Sequence, residues 1–580
     1  MKKTTTIILS GMICLFLVFI GMIFSRNDFS IGFLPLLPLF SCGLALILVN
    51  EIAVGKSKEE LISISQLSNG VWSRLILCLA NICLMAFIIW LMIRISSAPF
   101  YGAACMFSLI MLTWLFFPKV ISKLSISNIV LIAIAIRLIW AFIVYTQPVS
   151  DFGDYWSMSQ KMTVGLNPWQ TKAPFVVMFY GAIYQLTGKL WGVYLINALF
   201  GGLQVWLIYR ITCMIAPSQL SPRVAALLYA LYPTAITFSS VVSSETPMIV
   251  MLLIATYLLC IKLRLDSLTS VSNYNWKNYA LIIIIAFCVA AAYLSRNTGI
   301  IFLYLPILAI ALISGKKWYK RLMEIMLFIF LFLIFISPQI IWNYNQYQKF
   351  SISSLPMSGV SLLSGTSRDT YGGSDDRKLR EIVAKLGYSM ETLHDSRVVQ
   401  AVSKYASQEA IDNILQDKLG FFKFGFTHKF NRMWRTDAPN LAWSTASSQV
   451  FNHGGNNENR ITIWRITDQY YWGLWLLVAF STIFVFFRGN AMIVLMGGYI
   501  LLTFLLHFFY EVQPRYHIPI MPFVCIIASY FISRDFAMKK FNFPSILNNS
   551  GDFIKNLFKL DKRSRLPVSK SFEQQRSNGK

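Results

Sequence analysis

Charge is scarce in this sequence, and negative charge scarcest: 13% of the 580 residues are charged and 26 are acidic, while 56% are hydrophobic. A chain so poor in charge is too apolar to be a soluble multidomain protein, so it is expected to be polytopic in a membrane. The net charge of +25 does not point to nucleic acid, because the Lys and Arg residues fall mostly in short loops between apolar runs and in the last stretch, 534–580; cytoplasmic loops of membrane proteins carry such an excess. The five histidines, His394, His428, His453, His507 and His517, have no ligand-like spacing among themselves or with the cysteines, so no metal is expected. All nine cysteines (Cys14, Cys42, Cys78, Cys83, Cys105, Cys213, Cys260, Cys288 and Cys525) lie in or at the end of apolar segments. They read as small hydrophobes rather than a disulfide framework. Neither a P-loop nor a Rossmann glycine pattern occurs, so no cytosolic nucleotide and no cofactor is expected. Low-complexity tracts and internal repeats are also lacking.

What the chain does have is apolar length. Stretches long enough to cross a bilayer lie at 7–24, 31–50, 75–96, 100–117 and 129–146, then from 190–212 onward to 322–342, and finally at 470–487, 491–510 and 516–533. The length rule gives about 14 crossings. The start, MKKTTTIILSGMICLFLVFIGMIF, reads as an uncleaved first span because no small-residue cleavage site follows it. Lys2 and Lys3, then Lys56, Lys58 and Arg74, then Lys119 and Lys123 are expected inside, which puts Asp151 outside and both termini in the cytoplasm. The segment 175–186, FVVMFYGAIYQL, is short, and if it crossed, Arg210 and Arg223 would fall outside. It is therefore expected as an interfacial helix on the outer surface.

The resulting division is a four-span extension at 1–128, a membrane core at 129–342 with an outer loop at 147–189, a soluble outer domain at 343–469, three spans at 470–533 and a basic cytoplasmic tail at 534–580. In the soluble domain, Ser374, Asp375 and Asp376 cap a helix with Leu379, Ile382, Val383 and Leu386 on one face and Gly387 as its stop. A second helix is expected near 407–419. The run LGFFKFGFTHKFNRMW, which interleaves aromatics with Lys423, Lys429 and Arg432, suits a membrane-surface stretch, and the tail suits an anchor to anionic lipid.

The ionisable residues at span ends on the expected outer side are Asp151, Asp154, Lys161, Lys172, Glu245, Arg296, Glu511 and Arg515. A transporter places its polar groups near the midplane, yet only Arg137 is deeply placed here. The distribution favours surface chemistry, in which a carboxylate on a short loop takes a proton from an incoming hydroxyl. Structural readings stand beside this one. Glu245 in SSETP can complement a helix dipole with Ser244 as N-cap, Arg296 can snorkel, Glu511 and Arg515 can pair with each other, and Lys161 can simply be solvated. Tyr155, Trp156 and Trp169 serve equally as aromatic-belt anchors or as stacking faces for a sugar.

The ordered segments SDFGDYW, VGLNPW, TKAPFVVMFYGAIYQLTG, GVYLINALFGGLQVWLIYRI, LYALYPTAITFSSVVSSETP and YLSRNTGIIFLYLP resemble the core of the GT-C glycosyltransferases, in particular the protein mannosyltransferase and lipid A aminoarabinose transferase branch, family 39-like. The resemblance covers about 129–342, with echoes in SPQIIWNYNQYQKF, SLLSGTSRDTYGG and EVQPRYHIPIMPF. It implies an all-α GT-C bundle with an extracytoplasmic α-containing domain, transferring a sugar with inversion from a polyprenyl-phosphate donor to an acceptor hydroxyl. The family's acidic pair followed by a tyrosine, aligned on Tyr155, puts Asp151 on the first acid and Phe152 on the second, with Asp154 as the compensating acid. Asp151 is then the expected general base and Asp154 orients the acceptor. Lys172, just before Pro174, is expected at the lipid phosphate together with Arg296 and Arg515, and Tyr155, Glu245 and Glu511 at the acceptor or sugar.

The implied partners are the lipid-linked donor, an envelope polymer, glycolipid or protein acceptor, membrane lipid, and a membrane protein that supplies or flips the donor. The implied setting is a bacterial plasma membrane with an extracytoplasmic site. A polymerase or ligase of lipid-linked oligosaccharides, or a flippase without chemistry, are the competing readings.

Overall fold

The computed structural model describes residues 79–91 and 121–530, apart from short breaks at 81, 89, 122, 217–219, 269–275, 349, 354–356, 448–450, 452–456 and 489–490. The spans expected at 7–24, 31–50 and 100–117, and the tail 534–580, lie outside the described residues, as does much of the four-span extension. Among the described residues every regular element is helical. In chain order the main helices are α1 Ile126–Val144, α2 Asp151–Lys161, α3 Pro174–Thr187, α4 Trp191–Ile215, α5 Ser221–Ala230, α6 Glu245–Leu268, α7 Trp276–Ser295, α8 Tyr304–Ile313, α9 Trp318–Tyr347, α10 Ser358–Thr366, α11 Asp376–Lys385, α12 Ser396–Gln416, α13 Lys418–Phe424, α14 Asn457–Arg488, α15 Ala491–Phe509 and α16 Met521–Tyr530.

Six of these, α1, α4, α6, α7, α9 and α15, are long and apolar enough to cross a membrane. Several other expected spans are broken. The span after Arg296 opens as a 3-10 turn, Asn297–Leu303, before α8, and the one expected at 516–533 is a 3-10 segment, Pro514–Ile520, followed by α16. Proline lacks the N–H that a continuing α-helix needs, and Pro514, Pro519 and Pro522 crowd that second break.

The bundle is built around α6. In its most apolar window 89% of residues are inside, against 28% for α9 at the rim. Helix α6 packs against α7 and α4, and α4 in turn against α1 and α5. Lipid is as apolar as leucine, so such helices associate through close packing at small residues and through internal hydrogen bonds. At the α1–α4 crossing a Cβ on Gly201 would lie 2.3 Å from Arg137 Cδ, so glycine there lets the buried arginine lie flat between helices. Arg137, 1% exposed, donates to the carbonyls of Ala133 at 3.0 Å, Ala230 at 3.2 Å and Tyr229 at 3.4 Å. The last two stand at the C-terminus of α5, where carbonyls lack helical partners and the dipole is negative.

The expected interfacial helix forms as α3, and its 14 residues (about 21 Å) are too few to cross. It is covered by neighbouring helices rather than left open. Residues such as Phe175, Val176, Val177 and Tyr180 are buried, and the helix packs against α2, α4 and α7. Beyond α9, α10, α11 and α12 enclose a second core of Leu363, Ile382, Val383, Val398, Val402, Ala406 and Ala410. Helix α11 is capped as expected: the Asp375 side chain accepts from the Lys378 amide at 3.1 Å, and Gly387 takes a φ of 76° just past the end. Helix α12 begins eleven residues before the expected 407, because Asp395 supplies an N-cap, accepting from the Arg397 amide at 2.8 Å.

The end of α6 far from Glu245 carries a buried four-charge square. Lys262 Nζ lies 2.7 Å from Asp266 and 2.8 Å from Glu324, and Lys316 bridges the same two carboxylates. Asn278 and Ser314 add hydrogen bonds to Asp266 at 3.0 and 3.1 Å. This ties α6, α7, the α8–α9 turn and α9 together. Removing one member of such a set leaves a buried charge uncompensated, so Lys262→Met is expected to destabilise the fold by about 3 kcal/mol, read as a shift in an SDS unfolding titration. A change below about 1 kcal/mol would show the square to be no more than a surface pair.

Candidate active site

At the other end of the bundle, α2 begins at Asp151 directly after Ser150, whose φ of 54° turns the chain sharply into the helix. Asp151 and Asp154 are thus three residues apart in the first turn and share a face. The loop back to α3 is a 3-10 turn, Pro168–Gln170, in which Asn167 accepts from the Trp169 amide at 3.1 Å, and Gln339 of α9 donates to the Trp169 carbonyl at 3.1 Å. That anchorage returns Lys172 to the start of α2.

Lys172 Nζ pairs with Asp151 Oδ1 and lies 3.0 Å from Asp154 Oδ2. The second oxygen of Asp151 lies 2.5 Å from a terminal nitrogen of Arg515. Glu245, 1% exposed at the start of α6, pairs with Arg296. The Arg296 guanidinium stacks over the Tyr516 ring at 4.3 Å, and the Tyr516 hydroxyl donates to Glu511 at 3.2 Å. Lys172 also stands 5.4 Å from the Tyr155 ring centre. Asp151, Asp154, Tyr155, Lys172, Glu245, Arg296, Glu511 and Arg515 therefore form one connected cluster. Lys161 lies exposed at the end of α2, away from it. Glu511 and Arg515 do not pair with each other: Glu511 accepts from Gln513 at 2.5 Å and from Tyr516, while Arg515 reaches Asp151.

Several members escaped the sequence reading. Phe152, the aromatic at the resemblance's second acid position, lies 5.2 Å beneath the Arg515 guanidinium, and Trp443 lies 5.3 Å from it. The two rings meet edge to face at 5.4 Å, so a cation–π seat replaces a carboxylate. Trp443 is delivered by the short helix Leu441–Thr445, whose flank is held by Ser447 Oγ accepting from the Gln147 amide at 2.7 Å. His517 underpins the loop: Nδ1 is 2.6 Å from the Met433 carbonyl and Nε2 is 2.9 Å from Asp437. No spacing in the sequence announces this pairing across 80 residues. A cavity of about 20 Å³ beside Glu245, lined also by Arg137 and Gln204, separates the site from the buried arginine and is large enough for one water.

The charges are tuned by these neighbours. Burial works to raise the Asp151 carboxyl, but Arg515 and Lys172 outweigh it and hold it well below the usual carboxylate range. Burial opposes the Lys172 ammonium, yet Asp151 keeps it above the usual lysine value; Arg515 is likewise raised, Glu245 and Asp151 outweighing its burial. Burial pushes the phenols of Tyr155 and Tyr516 upward, so both stay hydrogen-bond donors. Arg515 Nε is buried and makes no hydrogen bond. Among the described residues no three His, Cys, Asp or Glu side chains converge as a metal would require. The arrangement can bind an anion between Lys172 and Arg515 and can orient a hydroxyl on Asp151 or Asp154.

Residues 171–342 match the family model for dolichyl-phosphate-mannose-protein mannosyltransferase. The chain carries a GT-C glycosyltransferase domain. The matched stretch holds Lys172, Glu245 and Arg296; Asp151, Asp154 and Tyr155 precede this GT-C match, and Glu511 and Arg515 follow it. No curated protein matches the chain by sequence. Among solved structures, the oligosaccharyltransferase AglB of Archaeoglobus fulgidus, in complex with an inhibitory peptide and a dolichol-phosphate, is similar at 11% identity and a TM-score of 0.43, over 74% of this chain and 54% of that one. The oligosaccharyltransferase of the same organism with zinc and sulfate is similar at 12% identity and a TM-score of 0.40, over 74% and 52%. The chain thus spans about half the length of the structures it matches.

Asp151 should stay ionised across the physiological range. Its folded value lies below its unfolded one, so its contribution to stability is complete above about pH 4 and is lost only as the pH falls through the depressed value. Infrared difference spectra of wild type against Asp151→Asn check this. A protonation step between pH 5 and pH 7 that vanishes in the variant would contradict it.

Proposed function

We propose that the protein moves a sugar from a polyprenyl-phosphate donor to an acceptor hydroxyl of an envelope polymer, glycolipid or protein, at the outer face of a bacterial plasma membrane. The observation that carries this reading is the two-armed pairing of Asp151 with Lys172 and Arg515, beside the GT-C match. In the donor-free protein those cations are held by the carboxylate that is the candidate base. A donor phosphate entering between them competes with Asp151 for both, and the idle Nε–H of Arg515 offers it a further hydrogen bond.

Once its partners turn to the phosphate, Asp151 loses the charges that suppress its basicity. It then accepts the proton of the acceptor hydroxyl as the acceptor oxygen bonds to the anomeric carbon from the face opposite the phosphate. The anomeric carbon–oxygen bond to phosphate breaks, its electron pair leaves with the phosphate, and Lys172, Arg515 and Arg296 stabilise the charge that develops there. Asp154, the more exposed acid, orients the acceptor, and Tyr155, Glu245 and Glu511 meet the sugar hydroxyls. Attack opposite the leaving group gives inversion.

Transfer of radiolabelled sugar from polyprenyl-phosphate donors to envelope fractions, by purified protein in liposomes, tests the reading. Asp151→Asn is expected to lower kcat by about 10²- to 10⁴-fold. In wild type an acid limb should enter the pH profile of kcat, which reports the donor complex, near pH 4–5, while kcat/KM, which reports the free enzyme, lacks it. Donor movement across the bilayer without transfer, unchanged in Asp151→Asn, would replace this reading with that of a flippase.

A further inference from the structure

Lys429 lies at the end of the π-helical turn Gly425–Lys429, is 1% exposed and stands outside the stretch matched by the family. Its Nζ donates to three backbone carbonyls, those of Gly365 in α10 at 2.9 Å, Phe508 in the last turn of α15 at 2.7 Å and Tyr510 at 2.9 Å. An ammonium has three N–H groups and no acceptor, so this trio satisfies it. The lysine in turn satisfies carbonyls that helix C-termini leave without partners.

The strap that follows α15, residues 510–513, is held to α15 by the Tyr510 amide donating to the Leu506 carbonyl at 3.3 Å and by His507 Nδ1 at 2.9 Å from the Glu511 carbonyl, and takes further hydrogen bonds from the Lys429 side. The Glu511 amide donates to the Ser361 carbonyl at 2.9 Å and the Val512 amide to the Gly372 carbonyl at 2.8 Å. Arg432 Nε donates to the Val512 carbonyl at 3.2 Å. The backbone contacts are close enough to demand glycine. A Cβ on Gly365 would come 2.1 Å from the Phe509 carbonyl oxygen, and one on Gly372, at a φ of +75°, would come 2.8 Å from Lys429 Cγ. The strap carries Glu511 and leads directly into Arg515 and Tyr516. Its register is thus set by the unit around the second core.

We infer that Lys429 is a positioning residue: by clamping the strap to α10 it fixes where Glu511, Arg515 and Tyr516 stand. The inference takes the location of the site from the proposed function, but none of its chemistry. Burial lowers the Lys429 ammonium to about 7, with Glu511 pulling the other way. The charged or titratable groups around it are Glu511 and His507 on the strap side and Arg432 on its own segment; α10, SGVSLLSGT, offers none. Above that pH the amine is neutral and keeps two N–H groups among the three carbonyls. The unfolded lysine holds its proton to about pH 10, so the unfolded chain binds more protons than the folded one above pH 7 and global stability is not lost as the pH rises. The same linkage governs the strap: opening it wets Lys429, which then takes up a proton, so opening grows costlier as the pH rises through 7.

Hydrogen exchange on the full chain in nanodiscs, corrected for intrinsic rates, reads the clamp without any substrate. In wild type the peptide spanning 507–516 is expected to gain protection between pH 6 and pH 8.5, because opening the strap wets a lysine that must then take up a proton, a comparison that needs no variant. In Lys429→Met it is expected to be unprotected at both, with α6 and α7 peptides unchanged. In the radiolabelled-sugar assay the same variant is expected to lose about tenfold in kcat with little change in KM. Equal strap protection in wild type and Lys429→Met overturns the inference, as does lost protection with unaltered transfer. A wild type that transfers nothing removes the proposed chemistry, and the exchange result still decides whether Lys429 clamps the strap.

Discussion

A carboxylate with a cation on each oxygen is the interaction on which this end of the molecule depends. Asp151 joins Lys172 of the next loop to Arg515, 364 residues away, and so fastens the first polar loop of the described bundle to the last. Such a pair is worth little in open water and much when enclosed, and the enclosure here is aromatic: Phe152, Trp443 and Tyr516 surround a guanidinium whose side chain is only 7% exposed. Beside it Glu245 pairs with Arg296 through one oxygen and accepts from the Ser244 hydroxyl at 3.2 Å with the other, and Tyr516 touches both arginines. The charges are held in place by each other, so a ligand that displaces one partner rearranges all of them.

The two cores divide the labour. The bundle around α6 supplies Asp151, Asp154, Lys172, Glu245 and Arg296 from helix ends and short loops. The strap that leads to Arg515 hangs from the smaller unit, through Ser361, Gly365 and Gly372. The same unit, through α11 and α12, buries its own apolar residues, which gives the strap a support that does not depend on lipid.

The all-helical class was legible because long apolar runs leave no alternative in a membrane. Seven of the eight clustered side chains were legible as candidates because ionisable groups at span ends are few; the eighth, Tyr155, was pointed to by the family resemblance, and Lys161, on the same span-end pattern, stands apart. What stayed hidden has physical reasons. Lys262 reads as a loop charge because Lys, Arg and Asp usually end a span, yet α6 runs on to Leu268 and buries it against Asp266 and Glu324. Lys429 sits in a stretch whose alternation of aromatics and cations reads as a membrane surface, and only the carbonyls of distant helix ends reveal it as buried. The pairing of His517 with Asp437 and the seat that Phe152 offers Arg515 are contacts between remote segments, for which local pattern carries no information. Helix α12 was misplaced at its start for a simpler reason, the overlooked cap at Asp395.

The two charge clusters sit at opposite ends of α6. From Glu245 to Lys262 the axis rises by about 26 Å at 1.5 Å per residue, close to the roughly 30 Å of a bilayer's hydrocarbon core. Both ends of this central rod are fastened to neighbouring helices by ion pairs, so it cannot be stretched, shortened or slid without breaking one of them. A membrane of different thickness must therefore deform around the protein or tilt it as a whole. The polar site and the opposite face keep a fixed separation, to which the lipid adjusts.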